Sequence, residues 1–189
     1  MASPAAMSFF QAHRHGDSAN NICCDTGSAE PQWASPSHGI YISIEAAGVH
    51  RSLGVKVSRV LSTEMDSWKP LQLRMMELGG NKKFAEFLQE HGVPDNMPIR
   101  LKYTTRAADW YRKKLLAMAE GSASPEPLAP GTGHMPVNDA ATGQQVLDEV
   151  FSSASLCNNP CTQCATAYRK HVRGRCSSNS SSSSTDSGS

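Results

Sequence analysis

At Gly121 the chain changes character, and that break limits where a core can form. Before it, Thr105–Glu120 carries an apolar stripe of Ala107, Tyr111, Leu115 and Met118 at helical spacing. Gly121 suits the left-handed cap that ends such a helix. After it, SASPEPLAPGTGHMPVNDAATG is rich in Pro, Gly, Ser and Ala, and the sequence closes on SSNSSSSSTDSGS. Stretches this polar cannot bury enough apolar surface to fold alone. Apolar residues make up 39 % of the 189, which fits one compact domain of roughly 100 residues with polar ends. The expected division is an irregular leader over 1–18, a folded domain over 19–120 and a disordered tail over 121–189.

Within the domain the patterns are mixed. Ile40, Ile42 and Ile44 alternate with Tyr41 and Ser43, which predicts a strand over Gly39–Ile44. A second strand is expected over Lys56–Leu61, and a short helix over Glu45–Leu53 before Gly54. Pro70 fits a first helical turn, followed by Leu71, Leu73, Met75, Met76 and Leu78 until Gly79-Gly80. Asn81–His91 reads as a further helix, with Phe84, Phe87 and Leu88 on one face and Gly92 and Pro94 beyond it. The fold class is a small mixed α/β domain, a short central sheet flanked by helices. In the tail, Val146–Phe151 reads as a helical turn or two.

Charge separates partner classes. The net charge is +1, but residues 47–120 carry thirteen basic and eight acidic side chains while both flanks are acidic. Such a mild basic excess suits an acidic protein or an anionic lipid surface and is too weak to point to nucleic acid. No apolar run approaches the roughly 20 residues that span a bilayer, and MASPAAMSFFQAHRHG lacks an apolar signal core. A cytoplasmic protein with reduced cysteines is the expectation.

A four-ligand zinc site wants two chelating pairs, each with two residues between the ligands. Cys23 opens such a pair, and its partner position holds Thr26; sixteen residues further on, Ser43 and Ala46 stand at the spacing of the second pair. Around these positions lie NNIC (20–23), PQWAS (31–35), GIYIS (39–43), GVHRSLGV (48–55), MDSW (65–68), GGNKKF (79–84) and KYTTRAADWYRKKL (102–115). In order and spacing these blocks closely resemble the Arf GTPase-activating protein (Arf GAP) domain over about residues 19–120. The Ala119-Glu120-Gly121 ending is similar to the Golgi, coat-associated type.

The resemblance implies a domain built on one zinc bound by four cysteines, of which only Cys23 remains here. Thr26, Ser43 and Ala46 replace the others. Hydroxyls deprotonate far less readily than thiols, and alanine offers no donor. The implied zinc is expected to be absent or weakly held, with no other cofactor. A substitute set from Cys23, Cys24, Asp25, His38 and His50 has irregular spacing and is not expected. The resemblance also makes Arg51 the arginine finger. It places Trp33 beside the finger and Asp66 at the contact surface, where a helix-start carboxylate is an equal reading for Asp66. The implied activity is acceleration of GTP hydrolysis by an Arf-family GTPase in vesicle traffic, with coat proteins and Golgi or vesicle membranes as further partners. The chain would then be a regulator and not an enzyme with its own substrate pocket. The competing reading is an inactive adaptor that binds Arf–GTP or a coat: the retained Arg51 favours the first, the missing ligands the second.

In the tail, residues 157–176 hold Cys157, Cys161, Cys164, His171 and Cys176. Cys161 and Cys164 have chelating spacing, but no second such pair follows, so free thiols in a disordered tail are expected over a metal site.

Overall fold

The computed structural model describes residues 1–137. Its first element overturns the expectation of an irregular leader. Helix α1 spans Pro4–Gly16, capped by Ser3, whose Oγ accepts the Ala6 N–H at 3.2 Å. Pro4 starts the helix, and Ala6 and Phe10, four apart, turn one face inward. Phe10 meets the Trp68 ring edge to face at 4.7 Å and the Tyr41 ring at 6.1 Å. The Ser-Pro start and the Ala6/Phe10 spacing were legible signals, outweighed by the polar residues around them.

The sheet is small and antiparallel, in the order β2-β1-β3: β1 is Trp33–Ser35, β2 Ile40–Ile42 and β3 Leu61–Ser62. Trp33 pairs with Ile42 on one side and Ser62 on the other. The strand expected over Gly39–Ile44 is present in shortened form, because Ser43 leaves it to cap helix α2, Ile44–Ser52. The strand expected over Lys56–Leu61 is mostly turn: the Val57 and Ser58 N–H groups bond back to the Gly54 carbonyl, and only Leu61 and Ser62 join the sheet. Ile40, Tyr41 and Ile42 are all fully buried, so β2 is covered on both faces.

Helices α3 (Pro70–Leu78), α4 (Asn81–Glu90) and α6 (Arg106–Glu120) stand where the sequence places them, with a short α5 at Ile99–Lys102. Gly79 is more than a helix stop. A Cβ there would lie 2.7 Å from the Gly39 Cα, and the Gly80 N–H donates to the Gly39 carbonyl at 2.8 Å. The backbones of the hairpin turn and of the α3–α4 junction therefore touch directly. Asn81 completes this joint. Its Oδ1 accepts from the Tyr41 N–H at 2.7 Å, and its Nδ2 donates to the Ile22 carbonyl at 2.6 Å.

Along α6, Ala107, Tyr111 and Leu115 are buried as expected, whereas Met118 is 45 % exposed. Residues 121–137 depart from the expectation of a tail free of the domain. They return to the start of α6, where the Arg106 N–H donates to Met135 O and the Ala107 N–H to Gly133 O. These amides lie in the first turn and have no partner inside the helix, so the returning segment satisfies them. The Val146–Phe151 turn and the 157–176 cysteines lie outside the described residues.

Candidate functional site

Arg51 occupies the last turn of α2 and is exposed. Its guanidinium carbon sits 4.3 Å from the centre of the Trp33 ring. A cation over the indole face is attracted by the ring quadrupole, which restrains a side chain that otherwise samples many rotamers. Trp33 is half-buried on the central strand, and its backbone register is fixed from both neighbours. The structure thus brings together two of the residues singled out from sequence.

Asp66 acts one step away. Its Oδ2 accepts the Ser62 N–H at 2.7 Å, and Trp68 Nε1 donates to the Ser62 carbonyl at 2.9 Å. Both hold Ser62, the cross-strand partner of Trp33. The carboxylate caps no helix, since α3 begins only at Pro70.

Cys23, Thr26, Ser43 and Ala46 also converge. The Cys23 sulfur accepts the Ser43 N–H at 3.0 Å and the Thr26 N–H at 3.4 Å. Thr26 Oγ1 donates to Ser43 Oγ at 3.2 Å, and Ser43 Oγ takes the Ala46 N–H at 3.3 Å as the N-cap of α2. Burial alone would raise the Cys23 thiol, but the hydrogen bonds from Thr26, Asp25 and Ser43 outweigh it and bring it below its ordinary value. Cys24 is pushed up by burial and by the Asp25 charge. This donor set does not fit a structural zinc. One sulfur is present, Ala46 supplies no donor, and the two hydroxyls are engaged with each other and with the helix start. Among the described residues no three His, Cys, Asp or Glu side chains gather as a metal-binding group.

The residue that sequence reasoning undervalued is Asp25. Its side chain is fully buried, and it accepts from His50 Nε2 at 3.0 Å, Lys102 Nζ at 3.0 Å and the Tyr103 hydroxyl at 3.0 and 3.1 Å. Burial would raise its carboxyl, but the His50 hydrogen bond and the Lys102 charge win and hold it low. His50 thus pairs with Asp25 instead of serving a substitute metal set. His38 is also fully buried, tilted against the Phe84 ring and edge-to-face with Tyr103, with Nε2 lacking a hydrogen-bond partner. Burial keeps it neutral by lowering its pKa well below the ordinary value.

The ArfGap family, described as "Putative GTPase activating protein for Arf", matches residues 8–120. The chain belongs to this family. The Arf GAP match takes in the second half of α1, in keeping with the packing of Phe10. The yeast (Saccharomyces cerevisiae) ADP-ribosylation factor GTPase-activating protein GCS1 is 42 % identical over 102 residues, which are 54 % of this chain and 29 % of that protein. ADP-ribosylation factor GTPase-activating protein 3 of Pongo abelii is 44 % identical over 101 residues, 53 % of this chain and 19 % of that protein. This Arf GAP chain therefore spans less than a third of either relative. Among solved structures, a "putative GTPase activating protein for ADP ribosylation factor" from Cryptosporidium parvum superposes with a TM-score of 0.52 at 26 % identity. That superposition covers 62 % of this chain and 90 % of that one. Among the described residues no helix is long and apolar enough to cross a membrane.

Proposed function

We propose that this chain accelerates GTP hydrolysis by an Arf-family small GTPase, with Arg51 entering the GTPase site in trans. The carrying observation is that an exposed Arg51 on the end of α2 is held over Trp33. Hydrolysis builds negative charge between the transferred phosphoryl group and its leaving oxygen. A guanidinium stabilises that charge with a planar fork of donors, and such fingers supply about 10³–10⁵ in rate. The GTPase holds nucleotide and magnesium; this chain adds a cation. It acts as a regulator, at Golgi or vesicle membranes and alongside coat proteins, as the likeness to the coat-associated type suggests.

The adaptor reading drew its support from the replaced ligands. The hydrogen-bonded cluster at Cys23 weakens that support, because the start of α2 is held without a four-sulfur site. Single-turnover GTP hydrolysis by a membrane-bound Arf, with the wild-type chain and with folded Arg51→Ala, tests the proposal. Acceleration by wild type and a loss on the order of 10³-fold or more in the variant are expected. Binding without acceleration would return the adaptor reading.

A further inference from the structure

We infer that Asp25 is a positioning residue for Arg51, acting through a buried hydrogen-bond chain that ends on the strand carrying Trp33. Asp25 Oδ2 holds His50 Nε2, and the opposite ring nitrogen, Nδ1, lies 2.7 Å from Ser58 Oγ. Ser58 Oγ is 2.8 Å from Ser35 Oγ. His50, Ser58 and Ser35 are each 1 % exposed or less, so water does not compete for these bonds.

The ends of this chain matter. His50 precedes Arg51 on α2. Consecutive helical side chains point about 100° apart, so a His50 locked inward fixes where Arg51 leaves the surface. Ser35 lies two residues beyond Trp33 on β1, and residues two apart share a face of a strand. The chain therefore spans from the element bearing the guanidinium to the element bearing the ring beneath it. Protons run along it without conflict. With Nε2–H of His50 donating to the carboxylate, Nδ1 accepts from Ser58, which is free to accept from Ser35.

Asp25 anchors the start. Lys102 and Tyr103, on the α5 side, are 77 and 78 residues away in sequence and bond to the same carboxylate. Two distant segments, α2 through His50 and the end of α5 through Lys102 and Tyr103, thus meet at one group in the loop next to Cys23. Displacement of α2 against β1 by about 1 Å is enough to cost on the order of 10²-fold in a positioned reaction.

The kinetic arm of the test rests on Arg51 being a finger; the spectroscopic arm does not. Asp25→Asn weakens the anchor, and Ser58→Ala breaks the chain at its middle by removing one hydroxyl. In the full chain, NMR reads the ring-current shift that Trp33 imposes on the Arg51 side-chain protons. The expected result is an upfield shift in wild type that moves toward the free-arginine position in Ser58→Ala, and further in Asp25→Asn if that variant folds. In single-turnover assays with a membrane-bound Arf, Ser58→Ala is expected to lose about 10-fold or more in rate at saturation. Its affinity for the Arf loaded with a non-hydrolysable GTP analogue stays within about twofold. An unchanged Arg51 shift in folded Ser58→Ala would overturn the inference, as would equal losses of rate and affinity. A Ser58→Ala chain that fails to fold would also overturn it, by making the bond a support of the whole fold. If wild type does not accelerate hydrolysis, the finger reading fails, while the Arg51 shift still decides the positioning role.

Discussion

Arg51 and Trp33 come from elements that share no sequence neighbourhood, yet the guanidinium carbon lies 4.3 Å from the indole centre. The pair is exposed on the arginine side and anchored on the tryptophan side. In the proposed role, an arginine held this way is ordered before docking on a GTPase and loses less freedom when it docks.

Trp33→Leu is expected to lower the activation rate by about 10-fold or more while leaving the fold intact. The cation–ring attraction is worth about 0.5–1 kcal/mol at an exposed site, and loss of the guide for Arg51 adds to it. Single-turnover rates beside thermal melting check this. An unchanged rate would remove Trp33 from the site.

Hydrogen bonds bring Cys23, Thr26, Ser43 and the backbone of Ala46 together at the start of α2. Thr26→Cys/Ser43→Cys/Ala46→Cys is therefore expected to bind one zinc per chain, measured by metal analysis after dialysis, while wild type binds none. Without metal the variant should melt below wild type, because it loses the Ser43 N-cap, worth about 1 kcal/mol. Zinc should reverse that order, and failure to take up metal would show that the cluster has drifted from ligand geometry.

Asp25 makes stability depend on acid. Its folded carboxyl lies below the ordinary value of 3.8, so its contribution is fully present above the unfolded value and is lost as pH falls through the folded one. Urea unfolding should find wild type more stable than Asp25→Asn at pH 6, with the gap shrinking below about pH 4. A gap that widens in acid would contradict the assigned direction.

Gly79→Ala should destabilise the domain by about 1–3 kcal/mol, because the new methyl would meet the backbone of Gly39 and neither side can yield as a flexible side chain does. Thermal or urea unfolding measures it, and wild-type stability would show that the two turns can part.

Much of this was legible in the sequence, for stated physical reasons. The Tyr111/Leu115 stripe, the Gly121 cap and the Pro70 start rest on local periodicity, and the structure keeps all three. Arg51 and Trp33 stand out only as parts of a spaced family pattern, since alone the first reads as a surface ion-pair partner and the second as a packed aromatic. The packing of α1 gives only a weak sequence signal, because its buried face consists of little more than Ala6 and Phe10. Lys56–Leu61 looked extended, but Gly54 drew Val57 and Ser58 into a turn. The role of Asp25 could not be read locally, since its partners lie 25, 77 and 78 residues away. Residues 121–137 have loop composition, and their return depends on the free amides of Arg106 and Ala107.

Arg51 is expected to act as a finger on a scaffold held by hydrogen bonds around Cys23 and Asp25, without zinc. The most direct measurement is single-turnover GTP hydrolysis by a membrane-bound Arf, using wild-type chain stripped with a strong zinc chelator and confirmed metal-free. Magnesium is then restored for the GTPase. Acceleration equal to that of untreated protein, and absent with Arg51→Ala, is the expected result. Acceleration that disappears on stripping and returns with zinc would contradict it.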